Sequence, residues 1–324
     1  MDLHPHHLSP AEKHARSSLR LGLASGVGAY AIWGLFPLFW PLLEPASAIE
    51  MVCGRIVWSF PFLVLLLTAT RAWPRLRPVL RSPRTMLLLF GAALCIGVNW
   101  MLFIWSVANH HVVEASLGYF INPLVTVVFG TLVLRERLRT PQWIAVGVAA
   151  LAVAVLTGAY GYIPWIGLGL ALSFAAYGLV KKVAGVDPVT SLVVETGYWM
   201  PLATGTLIWL GVNGTLAFAH TSPANTVLIV SSGIVTAIPL LLFGSAANRV
   251  PLSTVGILQY LTPSIQFVIG IKIGVEDMSP ARWLGFSIIW LALVVFTYDG
   301  VRQSHVTRSA RLSLIDTEGV EAPV

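Results

Sequence analysis

The chain has 324 residues, of which 56% are hydrophobic and only 10% charged, whereas soluble domains carry charge on roughly a quarter of their residues. So few charged side chains could not cover the surface of a water-soluble protein, and the composition predicts an all-α polytopic membrane protein. Stretches of about 20 apolar residues cross roughly 30 Å of hydrocarbon as helix. Ten such stretches lie near residues 21–40, 46–70, 85–108, 112–134, 141–158, 163–182, 188–210, 224–247, 252–274 and 281–299.

The connections between these predicted helices are short, and residues 1–20 and 303–324 form two polar tails. This leaves no soluble catalytic or nucleotide-binding domain, which argues against an ATP-driven pump. We find no phosphate loop, metalloprotease motif, nucleophile elbow or dinucleotide fingerprint. Cys53 and Cys95 both lie in predicted spans and do not have the spacing of metal ligands. The sequence therefore predicts neither an enzyme nor a cofactor or metal site.

The net charge of +6 is distributed as in a membrane protein. If the N-terminus is cytoplasmic, 17 of the 20 Lys and Arg residues lie in the tails and loops on the cytoplasmic side, and Arg55, Lys272 and Arg282 lie elsewhere. The positive-inside rule then predicts that both termini are cytoplasmic. This distribution favours membrane lipid, and not nucleic acid, as the partner of the basic residues.

The two halves of the chain repeat each other. Four residues recur 140 positions later, as the pairs Pro123 and Pro263, Gly130 and Gly270, Glu136 and Glu276, and Trp143 and Trp283. Each half contains five predicted spans, an odd number, so the second half must enter the membrane in the opposite orientation. Two inverted five-helix repeats, residues 21–160 and 161–302, are typical of secondary transporters whose central site opens to either side.

An ionisable group costs about 2.5–3.5 kcal/mol at mid-bilayer, so the four that matter in the spans need a reason: Glu50, Arg55, Glu114 and Glu195. Glu50, Arg55 and Glu195 are the candidates for a charge or coupling role. Glu50 and Arg55, in the second span, lie about 140° apart around a helix and are not expected to pair. Arg55 could reach a neighbouring helix, face an aqueous cavity, or extend toward the membrane surface. Glu195 follows Glu50 by 145 residues and is its candidate symmetry mate. The alternative, favoured for Glu50, is a hydrogen-bonded carboxylate without a mechanistic role.

A polar stripe follows the third span. Asn99, Phe103, Ser106 and His110 have the spacing i, i+4, i+7 and i+11, which places them on one helix face. Such a face should point into the bundle, where it either lines a path for a solute or bonds to a neighbouring helix. With Trp100 nearby, a lined path would suit an amphipathic organic solute.

Pro123 and Pro263 lie midway along the fourth and ninth spans. Each proline removes a backbone donor and displaces the carbonyl four residues earlier, at Tyr119 and Gln259. Freed backbone groups at membrane depth must be satisfied by protein or water. Two such prolines at equivalent positions therefore predict a central site or hinge, with a simple packing kink as the alternative.

Several runs resemble the RarD-type transporters of the EamA family, in the drug/metabolite transporter superfamily. They are residues 54–60 (GRIVWSF), 99–100 with 109–111, 114–123 (EASLGYFINP), 177–182 (YGLVKK), 195–196, 233–236 (GIVT) and 259–260. The resemblance covers nearly the whole chain. It implies a bacterial inner-membrane permease of ten helices in two inverted repeats, from a family that carries a chloramphenicol-sensitivity label.

The resulting hypothesis is a secondary transporter that moves a small organic metabolite or drug-like solute by alternating access. Its cavity is predicted to lie mainly between the third, fourth, eighth and ninth helices, together with parts of the first, second, sixth and seventh. The predicted lining residues are Asn99, Trp100, Ser106, His110, Glu114, Tyr119, Asn122, Gln259 and Tyr260. Proton coupling is a separate hypothesis, motivated by Glu195, Glu114 and the histidines. Glu114 could instead be a charge favoured by the helix dipole. The rivals are a membrane receptor that binds a solute without moving it and a lipid-modifying enzyme built on His110, His111 and Glu114.

Overall fold

The structure, a computed structural model, describes residues 10–109, 112–160 and 165–273, together with residues 283, 287, 288, 290 and 291. All regular secondary structure in these ranges is helical, which confirms the all-α prediction. The helices are α1 (Pro10–Gly34), α2 (Phe36–Phe39), a 3-10 turn (Trp40–Leu43), α3 (Ala48–Ala69), α4 (Trp73–Arg81), α5 (Pro83–Ala108), α6 (Val112–Leu132), α7 (Thr140–Tyr160), α8 (Trp165–Ala184), α9 (Pro188–Val212), α10 (Pro223–Arg249), α11 (Leu252–Leu258) and α12 (Leu261–Ile273).

Three of the long helices begin at side-chain caps. Ser47, Asp187 and Ser222 each precede a helix and accept a hydrogen bond from the backbone N–H three residues later. In α9 and α10 the first helical residue is a proline, whose fixed φ suits this position and whose missing N–H would have no helical partner there. Local sequence therefore determines where α3, α9 and α10 begin.

Five segments are long and apolar enough to cross a membrane: His14–Leu43, Ala48–Ala69, Pro83–Ser106, Trp165–Ala184 and Pro223–Arg249. This confirms a multi-pass membrane protein. Helices α6, α7 and α9 occupy three further predicted stretches, and α11 and α12 share a fourth. The tenth predicted stretch, the C-terminal tail and residues 1–9 lie wholly or largely outside the described residues, so the count of ten spans stays a prediction.

One boundary differs from the prediction. Residues 10–20 were expected to belong to a polar tail, but α1 begins at Pro10 and includes them. Their sequence, with Pro at the first position followed by Ala, Glu and Lys, contains good helix formers. The helix therefore extends beyond its apolar part.

The chain separates into two compact units. The first comprises residues 1–136 and 163–277, and the second comprises residues 137–162 and 278–324, in which α7 is the long described helix. Within the first unit the helix contacts occur in related pairs: α1 packs on α10 and α5 on α8, α3 packs on α10 and α5 on α9, and α6 packs on α8 and α1 on α12. In each pair, one contact becomes the other when α1 is exchanged with α8, α3 with α9, α5 with α10, and α6 with the two short helices α11 and α12.

Two hydrogen bonds between helices follow the same exchange. The Ser59 hydroxyl of α3 donates to the Gly233 carbonyl of α10, at 2.9 Å. The Trp199 indole N–H of α9 donates to the Ala93 carbonyl of α5, at 2.7 Å. Donors 59 and 199 lie 140 residues apart, as do acceptors 93 and 233. The repeat detected in the sequence therefore has a counterpart in specific contacts.

Aromatic side chains fill the core between α1, α8 and α10. The rings of Tyr177 and Phe243 are stacked, with centroids 5.5 Å apart and an interplanar angle of 14°. Tyr30, Trp33 and Phe174 surround this pair with tilted or edge-on contacts. These five residues form an aromatic core that supports the helices around the cavity described below.

Gly233 permits α10 to touch the backbone of α3. A Cβ atom at this position would lie 2.3 Å from the carbonyl carbon of Trp58 and 2.5 Å from the backbone N of Ser59. We expect Gly233→Ala to force α3 and α10 apart and to destabilise the protein by about 1–3 kcal/mol, the usual cost of overpacking. Thermal unfolding of the detergent-purified protein measures this effect.

Gly91→Ala is the matched control, because a Cβ at Gly91 meets no atom within 4 Å. This variant should unfold at or slightly above the wild-type temperature, since Ala is the better helix former. Equal melting temperatures for the Gly233→Ala and Gly91→Ala proteins would contradict the close packing of α3 and α10.

Candidate functional site

A narrow cavity lies between α3, α5, α8, α9 and α10. Its free volume is about 20 Å³, room for about one water molecule, so the cavity must widen to admit an organic solute. Apolar side chains form most of its wall. The polar and aromatic groups in the wall are Ser59, Trp100, Tyr177, Glu195, Thr196, Trp199 and Thr236. These helices correspond to the second, third, sixth, seventh and eighth predicted spans. The fourth and ninth spans were also expected to contribute to the site, but their helices α6, α11 and α12 do not line this cavity.

A buried ion pair adjoins the cavity through its carboxylate, Glu195. Lys181 Nζ of α8 lies 2.7 Å from Glu195 Oε1 of α9, and the two side chains are 3% and 2% exposed. Lys181 also donates to the Ser191 hydroxyl at 2.6 Å, and Ser191 in turn donates to Glu195. The Tyr177 hydroxyl donates to the other oxygen of Glu195, Oε2, at 3.0 Å. Each charge is therefore both paired and hydrogen-bonded, the arrangement that makes burial of an ion pair tolerable.

Helix periodicity explains why these four residues meet. Tyr177 and Lys181 are four residues apart on α8, as are Ser191 and Glu195 on α9. Residues at this spacing share one face of a helix, and the short connection between α8 and α9 turns the two faces toward each other. Sequence reasoning assigned Lys181 to the cytoplasmic basic residues and missed this pairing, although the i, i+4 spacing was readable.

Thr236 contributes an unsatisfied hydroxyl to the cavity wall. The residue is 4% exposed, and its Oγ1 has no hydrogen-bond partner among the described residues. Buried hydroxyls nearly always have a partner. An unpaired one that faces a cavity is therefore available to a water or a bound solute.

Arg55 lies on α3 one turn before Ser59, beside two indole rings. Its Cζ is 4.3 Å from the ring centroid of Trp100, which also lines the cavity, and 5.5 Å from that of Trp40. Arg55 Nε is buried and has no hydrogen-bond partner, and no carboxylate among the described side chains pairs with the guanidinium. The structure therefore places a cation at the edge of the cavity, within cation–π distance of two indole rings.

Glu50 has a different environment from its candidate symmetry mate Glu195. It is fully buried, and its carboxylate accepts hydrogen bonds from the backbone N–H groups of Ala217 and Phe218, at 2.8 to 3.1 Å. These residues belong to the connection between α9 and α10. Glu50 therefore holds a loop in place, and it does not line the cavity.

The polar residues predicted along α5 and α6 bond mainly to neighbouring atoms of the protein. The Asn99 side-chain amide donates to the Leu170 carbonyl at 2.9 Å and to the Ser173 hydroxyl at 3.1 Å, which links α5 to α8. Ser106 donates to the Phe103 carbonyl of its own helix at 2.7 Å. Asn122 accepts from Thr126 at 3.4 Å. Of the predicted lining residues in α5, only Trp100 faces the cavity described above.

Gln259 and Tyr260 lie at the break between α11 and α12 and face α6. Gln259 Nε2 donates to the Thr126 hydroxyl at 3.2 Å, and the Tyr260 hydroxyl is 3.5 Å from the Phe120 carbonyl. Both residues are buried. They connect the break between α11 and α12 to α6, and they lie outside the cavity wall.

The two repeat-related prolines are both buried in protein. Helix α6 continues through Pro123, whereas the ninth predicted span breaks at Gln259 and Tyr260, just before Pro263. Tyr119 is 38% exposed and interacts electrostatically with Arg55. His110 and the side chain of Glu114 lie outside the described residues.

A polar cluster joins four helices. It lies where α6, α8 and α10 end and where α11 begins. The Glu136 carboxylate accepts from the backbone N–H groups of Leu252 and Ser253 at 2.6 and 2.9 Å, which caps α11. Lys182 Nζ lies 4.0 Å from Glu136 and donates to the Ala247 and Val250 carbonyls of α10. We call these six residues the end cluster.

Helices α1 and α10 meet near the same end. The hydroxyls of Ser25 and Ser245 are 3.0 Å apart, and a Cβ at Gly22 would lie 2.7 Å from the Cβ of Arg249. These contacts and the end cluster together close the first unit at this end.

Comparison with known proteins identifies relatives along most of the chain. Residues 20–158 match the EamA-like transporter family. The protein RarD of Streptomyces exfoliatus is 51% identical over 91% of this chain and 94% of its own. The protein RarD of Escherichia coli is 40% identical over 87% of this chain and 95% of its own. A protein of known crystal structure, 16% identical, superposes with a TM-score of 0.66 over 86% of this chain and 97% of its own, which indicates a shared fold.

We expect Lys181→Met to be strongly destabilising, because it leaves Glu195 as an unpaired charge in a site that is 2% exposed. Breaking a buried pair in this way costs about 3–5 kcal/mol. The double variant Lys181→Met/Glu195→Gln should recover much of that loss, since it removes both charges. Thermal and denaturant unfolding in detergent measure these differences.

Arg75→Met is the control. Arg75 pairs with Asp187 at 3.5 Å, but its side chain is 68% exposed, so the change should cost no more than about 1 kcal/mol. If Lys181→Met and Arg75→Met were equally stable, the buried pair would not have the role assigned to it here.

Proposed function

Because the chain belongs to the RarD-type branch of the EamA-like transporter family and is a membrane transporter, we propose that it moves a small organic metabolite or drug-like solute across the bacterial inner membrane. Transport occurs by alternating access, without ATP hydrolysis. Both termini are cytoplasmic in this proposal, as the distribution of Lys and Arg predicts.

The cavity between α3, α5, α8, α9 and α10 is the observation that carries the proposal. It combines two indoles, those of Trp100 and Trp199, with a few polar groups, which is the composition of sites for organic solutes. The unpaired Thr236 hydroxyl offers a hydrogen bond that no described residue uses. A bare inorganic ion would gain little from the aromatic and apolar wall.

The related helix contacts support an inverted repeat. In the first unit, helix contacts occur in related pairs. The contact of α1 with α10, for example, corresponds to that of α8 with α5, and the contact of α6 with α8 corresponds to that of α12 with α1. The bonds from Ser59 to Gly233 and from Trp199 to Ala93 obey the 140-residue shift of the sequence repeat. Pseudo-symmetric halves allow one site to be opened first on one side of the membrane and then on the other.

The end cluster supplies a structural element that alternating access requires. It holds the ends of α6, α8, α10 and α11 together through a carboxylate, an ammonium and backbone groups. We infer that this end is the cytoplasmic one and that it must separate when the site opens to the cytoplasm. Such polar contacts can be exchanged for water at the membrane surface at little net cost.

Disulfide cross-linking tests alternating access. In a protein in which Cys53 and Cys95 are replaced by Ala, we expect Ser25→Cys/Ser245→Cys to form a disulfide, because the two hydroxyls are 3.0 Å apart. Oxidation should lower flux into proteoliposomes at least about tenfold by fixing α1 to α10, and reduction should restore it. The solutes are first selected by a thermal-shift screen of amino acids, nucleosides, vitamins and amphenicol drugs.

The two single-cysteine proteins are the controls, and oxidation should leave their flux unchanged. Full flux through the oxidised double variant would contradict opening at this end. Saturable binding without any flux in wild-type protein would instead support the receptor hypothesis.

Proton coupling through Glu195 is a further part of the proposal. Glu195 lines the cavity and holds Lys181, Ser191 and Tyr177. Protonation would remove its charge and weaken its hold on Lys181, so a proton and a solute in the cavity would influence each other. This is the physical requirement for coupled transport.

We expect wild-type flux to depend on an imposed pH gradient, and the double variant Lys181→Met/Glu195→Gln, which leaves no unpaired buried charge, to lose that dependence while still exchanging solute. Flux measured in proteoliposomes with and without a gradient provides the test, with Glu114→Gln measured in parallel. Flux that ignores the gradient would refute the coupling, as would full gradient dependence in both variants.

A further inference from the structure

We propose that the solute carries a planar negative group, such as a carboxylate, and that Arg55 binds it between Trp40 and Trp100. The inference rests on the proposed function, because it assigns a substrate class to the same cavity. It extends that function from an unspecified organic solute to small organic acids and zwitterions with an apolar body.

No described residue accepts a hydrogen bond from the Arg55 side chain. A guanidinium has five N–H donors, yet Arg55 Nε is buried without a partner in the described part of the chain. A cation within a membrane-spanning helix ordinarily pairs with an acid or with carbonyl groups. Lys181 and Lys182 follow this rule, through Glu195 and through backbone carbonyls of α10.

The position of Trp100 connects Arg55 to the cavity. The ring centroid of the Trp100 indole lies 4.3 Å from Arg55 Cζ, and the same indole forms part of the cavity wall. Ser59, one turn further along α3, also lines the cavity and donates to the Arg55 carbonyl. The guanidinium therefore lies at the edge of the cavity, where a bound solute can reach it.

The charges around the cavity favour an anion. Lys181 and Glu195 neutralise each other, so the unpaired charge of Arg55 makes the described surroundings positive. A negative group on the solute would supply the missing counter-charge in a low-dielectric site, where such a pair is strong.

The geometry around Arg55 favours a planar anion with an apolar body. The indoles of Trp40 and Trp100 lie within cation–π distance of the guanidinium, and its N–H donors could hold a carboxylate in the bidentate arrangement that arginine prefers. The remainder of the solute would then extend along Trp100 toward Trp199 and the free hydroxyl of Thr236.

Matched acid and amide pairs test the inference by binding alone. The probes are indole-3-acetate against indole-3-acetamide, benzoate against benzamide, and N-acetylphenylalanine against its amide, measured by thermal shift and calorimetry on detergent-purified protein. We expect at least one acid to bind wild-type protein about tenfold more tightly than its amide, as for a hydrogen bond to a charged group. Arg55→Gln should abolish that preference, and Arg55→Lys, which keeps the charge but loses the planar fork, should reduce it.

Arg75→Gln is the matched control, because Arg75 is an exposed arginine outside the cavity, and it should retain the full preference. The inference is overturned if no acid binds more tightly than its amide, or if Arg55→Gln and Arg55→Lys both keep the wild-type preference. It is also overturned if acids bind only after Glu114→Gln, since the protein would then neutralise Arg55 itself.

A flux measurement separates this inference from the proposed function. If the screened neutral solutes cross the proteoliposome membrane while the acids bind no more tightly than their amides, the transporter proposal stands and the proposed role of Arg55 is refuted. If the acids bind through Arg55 and nothing is transported, the anion site stands and the transport mechanism falls.

Discussion

Every polar group placed at membrane depth must find its partner within the protein, and this constraint accounts for most of the contacts in the first unit. The Ser59 hydroxyl, the Trp199 indole N–H and the Asn99 amide each donate to a backbone carbonyl of another helix. Hydrocarbon offers no alternative acceptor. The helices are therefore held in register by a small number of directional bonds, since burial of apolar side chains distinguishes poorly between a neighbouring helix and lipid.

Five described side chains depart from this constraint, because each has a buried polar atom without a hydrogen-bond partner: Tyr30, Arg55, Asn225, Thr236 and Gln259. Of these, Thr236 and Arg55 lie at or beside the cavity between α3 and α10. Elsewhere a buried carboxylate such as Glu50 is fully used, by two backbone N–H groups. A group left unsatisfied in the protein alone can be satisfied by a solute, which is why Thr236 and Arg55 carry the functional proposals.

Sequence patterns predicted the helices well, because hydrophobic length and helix caps are local properties. The patterns also found Arg55, Glu195 and Trp100, because charged and aromatic residues inside apolar stretches are conspicuous. They did not predict the partners. Asn99 was expected either to line a path or to bond to a neighbouring helix, and it bonds to α8. Gln259 was expected to line the site, and its amide donates to Thr126 of α6. Lys181 was assigned to the cytoplasmic side, since its partner Glu195 becomes a neighbour only when α8 and α9 fold together.

The two bonds related by the 140-residue shift have different donors. One is the short hydroxyl of Ser59, and the other is the large indole of Trp199, which lies so close to α5 that a Cβ at Gly97 would be 1.8 Å from the ring. Equivalent positions in the two halves of the chain thus carry donors of very different size, and the two bonds are not interchangeable. In the proposed transport cycle, a step that breaks the Trp199 bond would release an indole, whereas the equivalent step in the other half would release only a hydroxyl.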